Sequence, residues 1–592
     1  MKRIKGLLFI LLCSALLITS CAKKDTLTKP AAETHSIDEY MDSEDLDSEF
    51  DENTSVSILL NGESAKSSSN AVEISKGKIT LTKAATYMIS GTLDDGMIIV
   101  DAGEKDKVRI VFNGADITSK TSAALYVLEA DKVTVTSAEG SENRVANGGS
   151  FTAIDDNNID AAIFSKKDLV LNGKGSLTVE SPAGHGISAK DELGIAEGNY
   201  TVNAGLHCFD VNDSVVVNSG NFELTAGKDG IHSENNEAEN YGFIYIENGG
   251  FKISSTGDGI SASNYLQIKN GSFEIESGGG SANAVNKSYD DWGYGYSDKN
   301  YSKTSASTSS DSAKGLKSGD WMHISSGEFN LNCQDDSVHS ASAMTIAGGN
   351  YNISCGDDGF HSDTELNITG GNINITKCYE GIEAESVSIN GGEIALIASD
   401  DGINAAGGKD YSGYGGQNRY NTLGNGSITI NGGTLNITAN GDGVDSNGSL
   451  EVNGGNIYID GPTVGDTSTL DYETSGCIKG GLFIGTGTAG MNMCFDSNST
   501  QGVIMTALSG NTGDEIVLYD SLDNVLMTHT AKQDYNCVIL SSPDICKGEV
   551  YSLKNGDNVT SITMDSLIYN KVASNGFSGM GPGGGGMRGP GF

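Results

Sequence analysis

The sequence predicts an all-β protein whose body is a right-handed parallel β-helix, a solenoid of about 22 residues per rung. Three observations predict it: abundant glycine with little proline, a short motif recurring at that period, and three short period-two strands within each recurrence. Of 592 residues, 80 are glycine and only 6 proline, with no G-X-Y period. That excludes collagen and disfavours long helices, in which each interior glycine costs about 1 kcal/mol. The 37 Lys+Arg stand against 78 Asp+Glu, a formal net charge of −41. Such a chain repels a phosphate backbone, so nucleic acid is excluded as a partner, and an anionic ligand needs a bridging cation.

Taken in order, the chain opens with Lys2, Arg3 and Lys5 before an apolar run from Leu7 to Ile18 that ends at Thr19-Ser20-Cys21. The run is too short to span a bilayer as a mature helix. Residues 1–20 resemble a bacterial lipoprotein signal peptide, with Cys21 as the lipidated N-terminus; an ordinary signal cleaved nearby would leave Cys21 incidental. The expected location is extracellular, at the cell membrane, held there by the N-terminal lipid alone. Residues 21–55 carry Asp38, Glu39, Asp42, Glu44, Asp45, Asp47, Glu49, Asp51 and Glu52 and read as a self-repelling acidic linker. Residues 56–150 read as an irregular N-terminal cap with the first rungs, protecting an edge that would otherwise invite aggregation.

From 151 to 462 one pattern recurs: two small or acidic residues, Gly, an apolar centre, a polar residue, then Ser or Ala. Its clearest copies centre on Ile231, Ile260, Phe360, Ile403 and Val444, and looser ones on Ile187, Phe209, Leu316, Val338 and Ile382. Successive spacings are 22, 22, 29, 56, 22, 22, 22, 21 and 41, so the exceptions are insertions into a period of about 22. Each centre is followed by an apolar-x-apolar step such as Leu266-Gln267-Ile268, then by a glycine turn and a third strand such as Gly370-Gly371-Asn372-Ile373-Asn374-Ile375. A β-propeller would need about twice this period and four strands per repeat. Beyond Gly461-Pro462 the period stops. Residues 463–570 read as terminal rungs and a small β appendage, and residues 571–592 as a Gly-rich disordered tail.

Stacked repeats turn a recurring residue class into a column. Two and three positions before the centre stand Asp229, Asp258, Asp335, Asp336, Asp357, Asp358, Asp400, Asp401 and Asp442, with Asp445 just after a centre. Neighbouring carboxylates on adjacent rungs repel by about 1 kcal/mol per pair in water and more where solvent is excluded. With hard oxygen ligands and no zinc-type His/Cys spacing, Ca²⁺ is the expected metal. Aspartates before glycine also cap turns, which is the alternative reading of each. One position after the centre, His232, Lys317, His339, His361, Glu383 and Asn404 are expected to point outward as a track for an extended polymer, or simply as a solvated face. Trp292 and Tyr294 in one insertion, Tyr411 and Tyr414 in the other, and Trp321 nearby suit the faces of sugars, or else pack their loops down. Cys333 and Cys355 are expected to stack as an interior thiol ladder.

These residues resemble the secreted clostridial carbohydrate-binding β-helix proteins, related in fold to pectate lyases. The resemblance rests on Tyr87-Met88-Ile89-Ser90-Gly91-Thr92, Lys314-Gly315-Leu316-Lys317, Asp400-Asp401-Gly402-Ile403-Asn404-Ala405, Gly441-Asp442-Gly443-Val444-Asp445-Ser446-Asn447-Gly448 and Ser541-Ser542-Pro543. It implies bound calcium and affinity for plant-cell-wall polysaccharides, cellulose and polygalacturonate, without demonstrated catalysis. The expected function is therefore a monomeric, lipid-anchored surface protein that binds pectin or cellulose through calcium-bridged contacts. The first alternative is a calcium-dependent lyase with Lys314 or Lys317 as base, or a polygalacturonase-like hydrolase. Gly184-His185-Gly186 resembles a polygalacturonase fragment, but the Arg-x-Lys partner is missing, and arginine is scarce throughout the solenoid. The second alternative is a surface adhesin with no glycan preference.

Overall fold

A tripeptide such as Ile231-His232-Ser233 presents a single large apolar side chain and cannot bury it alone. It is buried only when the next copy lies alongside, and in the computed structural model every copy does so. The structure describes residues 34–572 apart from 153, 236–239, 285–311, 406–424 and 464–466. The chain divides into two units, Met1–Thr34 and His35–Phe592, and the architecture is that of the second. Cys21, Trp292, Tyr294, Tyr411, Tyr414 and the Gly-rich tail from 573 onward lie outside the described residues.

The protein is all-β, built on one long, parallel-rich sheet. Within it run three parallel ladders, because each strand pairs with the equivalent strand of the next repeat. In the motif ladder the centres are register partners in sequence order: Ile187, Phe209, Ile231, Ile260, Leu316, Val338, Phe360, Ile382, Ile403, Val444 and finally Leu470. The long spacings do not disturb this register: Ile260 meets Leu316 and Ile403 meets Val444 directly. A second ladder contains Leu266–Ile268, Met322–Ile324 and Ala343–Ile346. A third contains Asn221–Ala226, Gly250–Ser255, Ser272–Ser277, Glu328–Cys333 and Asn350–Cys355.

Alternate side chains from all three ladders meet in one hydrophobic cluster. In the third ladder the rings of Phe222, Phe251, Phe273, Phe329 and Tyr351 stack in turn at 4.6, 4.9, 4.8 and 4.6 Å. Each such pair contributes about 0.5–1.5 kcal/mol beyond its burial. Cys333 and Cys355 are register partners and buried free thiols. The second glycine of the Gly-Gly turns takes positive φ, +108° at Gly371 and +93° at Gly455, a conformation costly for any other residue.

Residues 56–150 begin with antiparallel pairs, Val56–Gly62 with Ala65–Lys66 and Val72–Ser75 with Lys78–Leu81, and continue as rungs: Met97–Asp101 pairs Leu125–Glu129, Lys107–Ser119 pairs both Lys132–Ser137 and Glu142–Asn147, and Leu125–Glu129 pairs Ala161–Ser165. Period-two apolar alternation is enough to join the ladders, and the Asp-Gly motif is not required. One sequence expectation is corrected: the described part of the acidic linker is no free tether. His35 exchanges main-chain hydrogen bonds with the Gln267 side chain at 2.9 and 2.8 Å, Met41 and Asp45 are buried, and Asp45 pairs with Lys132 at 2.7 Å. Asp42 caps the helix Ser43–Leu46 through the Glu44 and Asp45 amides. Several of the acids are thus spent on caps and pairs, which a charge count cannot see.

At the other end Leu482–Gly487 closes the third ladder against the antiparallel strand Tyr535–Ser542, which also pairs Gly502–Gly510. A separate four-stranded antiparallel sheet, Val525–Thr530, Glu515–Tyr519, Val550–Asn555 and Asn558–Thr563, shares a second apolar cluster with Ile484, Ile504, Val538 and Leu540 of the long sheet.

Candidate functional site

Two rows of ionisable side chains flank the motif strands, one two residues before each centre and the other one residue after it. Members of one repeat are therefore three residues apart. In the second row Asp210, His232, Ser261, Lys317, His339, His361, Glu383, Asn404, Asp445 and Asp471 are successive register partners. The first row is tied by main-chain bonds from the glycine that follows each member: Gly230 donates to the Asp258 carbonyl at 3.0 Å, Gly359 to Glu380 at 3.0 Å and Gly402 to Asp442 at 2.8 Å. Glycine is needed for this approach, since a Cβ on Gly402 would lie 2.4 Å from Ile437 Cγ2 and 2.6 Å from the Gly443 carbonyl.

The aspartates of the first row use their two oxygens differently. One oxygen accepts the next repeat's main-chain N–H: Asp229 Oδ1 from Asp258 at 2.8 Å, Asp258 Oδ1 from Lys314 at 2.8 Å, Asp336 Oδ1 from Asp358 at 3.0 Å. The other oxygen faces the second row, Asp229 Oδ2 lying 3.0 Å from His232, Asp258 Oδ2 from Lys317 and Asp336 Oδ2 from His339 at the same distance.

Along the track the balancing charge changes. In the middle, Lys314 Nζ donates to Asp335 at 3.0 Å and to Asp336, and Lys317 Nζ to Asp258. Burial opposes the charge on Asp336, but Lys314 and His339 outweigh it and hold the carboxyl well below the usual range. Further on, no lysine or arginine stands in either row. Burial, with Asp357 and Glu383 adding, pushes Asp358 well above the usual range. Burial acts likewise on Glu380, with Glu383 and Asp358, and on Asp401, with Asp400 and Asp442. Asp442 is pushed up to about 7 by burial, against a hydrogen bond from Ser468 and with Asp445 and Asp471 adding. The single imidazole here, His361, lies 3.1 Å from Asp358 and 2.8 Å from Glu383; burial opposes its proton, yet its acidic partners hold its pKa well above the usual value. Asp358 Oδ1 has no hydrogen-bond partner.

The donor set of this acidic stretch fits a hard dication. A Cβ on Gly441 would lie 2.4 Å from both Asp400 Oδ1 and Asp401 Oδ1, so two carboxylate oxygens converge over bare backbone. Oxygens of Asp335, Asp336 and Asp357 also lie within 4.8 Å of one another, but there Lys314 already occupies the charge.

All ten acids expected as metal ligands thus fall on or beside one track. The second row does not project freely into solvent: His339, His361 and Asn404 are 7%, 1% and 6% exposed. On this short strand and its turn, residues three apart curl toward each other, so the second row engages the first; Asn404 donates to Glu380 at 2.9 Å. His232, Lys317 and Glu383 keep more exposure. Trp321 is not on the track; beside the second ladder it stacks on Tyr265 at 4.4 Å, with His35 stacked at 6.2 Å. Lys314 and Lys317 donate to carboxylates instead of standing as free bases. Sequence reasoning missed His207 and Asp210 and noted His185 only within a polygalacturonase-like fragment, although carrying the two columns back to the centres Ile187 and Phe209 would have placed all three.

A model of the carbohydrate-binding domain-containing protein family matches residues 75–359 and 357–506. A carbohydrate-binding domain-containing protein of Acetivibrio thermocellus is 34% identical over 137 residues, 23% of this chain and 48% of that relative, so the match spans about half of its length. A solved structure of the polysaccharide lyase-like protein from C. thermocellum, a gadolinium derivative, is 31% identical and covers 38% of this chain and 92% of that one, with a TM-score of 0.37. With most of its length matched by the family model, the chain belongs to the carbohydrate-binding domain-containing protein family.

Proposed function

We propose that this protein holds plant-cell-wall polysaccharide, polygalacturonate (pectin) or cellulose, at the cell surface, with Ca²⁺ bridging its carboxylates to the uronate carboxylates where the polymer is polygalacturonate. The supporting observation is the acid-rich stretch from Asp358 to Asp471, with His361 its one imidazole, where burial first and neighbouring acids second push Asp358, Glu380, Asp401 and Asp442 above their usual range. Buried like charges need a counter-ion, and oxygen donors on successive repeats suit calcium. Asp400, Asp401, Asp442 and Asp445 would hold the ion, whose chemistry is to neutralise them and offer open positions to uronate oxygens. In this reading the three ladders close as a right-handed parallel β-helix, the hand following the general rule for parallel crossovers. Cys21 carries the lipid of a monomeric, extracellular, membrane-anchored protein, and Trp292, Tyr294, Tyr411 and Tyr414 supply sugar-facing rings.

The test is incubation with polygalacturonate and Ca²⁺, following pull-down and the absorbance of unsaturated product. Retention without product supports the proposal. Retention unchanged by a chelator removes the calcium bridge, and product abolished by Lys317→Ala replaces binding with lyase chemistry.

A further inference from the structure

At the start of the same track the composition changes from oxygen to nitrogen. His185 and His207 stand in the first row above Asp229, and Asp210 and His232 face them in the second. The three imidazoles stack, His185 on His207 at 5.1 Å and His207 on His232 at 4.4 Å, with interplanar angles of 9° and 16°. His185 and His207 are each 8% exposed. Around Asp229 Oδ2 lie His207 Nδ1 at 3.4 Å and His232 Nδ1 at 3.0 Å, and the three ligand atoms are within 4.8 Å of one another. His185, His207 and Asp210 form a second such trio, with His185 Nε2 3.9 Å from Asp210 Oδ2.

We propose that Asp229, His207 and His232, flanked by His185 and Asp210, form a site for a divalent transition cation of the zinc class, distinct from the acid-rich stretch proposed for calcium. Ligands at about 2.0–2.1 Å from a tetrahedral ion stand about 3.3 Å apart, close to the spacings around Asp229 Oδ2. His232 Nδ1 meets Asp229 Oδ2 at 3.0 Å, a pair that an ion would bridge in place of a proton, and His185 Nδ1 is a buried ring nitrogen with no hydrogen-bond partner. The ion takes over one existing bond, that from the Asp229 amide to His207 Nδ1 at 3.1 Å. The second oxygen of Asp229 stays on the Asp258 amide at 2.8 Å and fixes the carboxylate in place. Two imidazoles and one carboxylate select zinc, cobalt, nickel or copper over calcium, and three protein ligands leave a fourth position to water or a ligand oxygen.

The experiment titrates the chelator-stripped full chain with Co²⁺ and then Zn²⁺, each in excess Ca²⁺, following the visible bands of cobalt and the heat of zinc binding. The expected result is one equivalent with intense tetrahedral bands, displaced by Zn²⁺ and not by Ca²⁺. His207→Ala and His232→Gln each weaken zinc by about 100-fold, while Asp401→Asn and His339→Gln leave it unchanged. Weak octahedral bands, displacement by calcium, or loss that follows His339→Gln would overturn the site. Because the cobalt spectrum of the unsubstituted chain decides the coordination, a variant that fails to fold does not rescue the proposal.

Discussion

Asp336 and Asp358 occupy the same position in adjacent repeats, joined by the Asp358 amide on Asp336 Oδ1, and are 0% and 4% exposed. Their carboxyls are nonetheless driven in opposite directions, Asp336 well below and Asp358 well above the usual range. Burial is common to both, so it does not decide the sign. What differs is the neighbour: Lys314 and His339 beside Asp336, and Asp357 and Glu383 beside Asp358. The lysine-threaded middle carries its own counter-ions, whereas the acidic stretch requires one from outside. A uniform backbone ladder is thereby divided into regions of different chemistry by single substitutions in its rows.

The largest effect that tests this contrast is Lys314→Met, which leaves Asp335 and Asp336 without their cation and is expected to cost about 3–5 kcal/mol in denaturant unfolding. A loss below 1 kcal/mol would erase the distinction. Next, calcium at a hundredfold its dissociation constant is expected to stabilise the chain by about 2.7 kcal/mol. That gain should shrink in Asp442→Asn and persist in Asp258→Asn, read as shifts in melting temperature. Asp336→Asn is expected to cost about 1.5–3 kcal/mol through its charged hydrogen bonds, whereas Asp358→Asn in chelator should be neutral or stabilising. Equal losses in the two would contradict the comparison.

A separate effect is expected on pH dependence in chelator. Asp442 has a folded-state value of about 7 against an ordinary 3.8, so the stability it contributes is fully present below 3.8 and lost as pH rises through about 7. Asp336, depressed, contributes stability present above its ordinary value and lost on acidification. Melting temperature should therefore fall on both sides of about pH 4, and Asp442→Asn should flatten only the neutral side.

Much of this was legible before any coordinates. The ten apolar centres pair in the order and register that their spacing implies, even across the insertions before Leu316 and Val444. The acids fall on one track for the same reason. The docking of His35 to Asp45 was not legible, because caps and buried pairs look like any other run of charge. Nor was the inward engagement of His361 and Asn404, which depends on the curl between residues three apart.

The sequence by itself determined register, since a period of apolar centres has only one alignment that buries them all. The tertiary structure alone decided which charges confront which. The facing of His232 with Asp229, of Lys317 with Asp258 and of Asp442 with Asp445 arises across turns and between repeats, where orientation and burial, and not spacing along the chain, set the electrostatic neighbours.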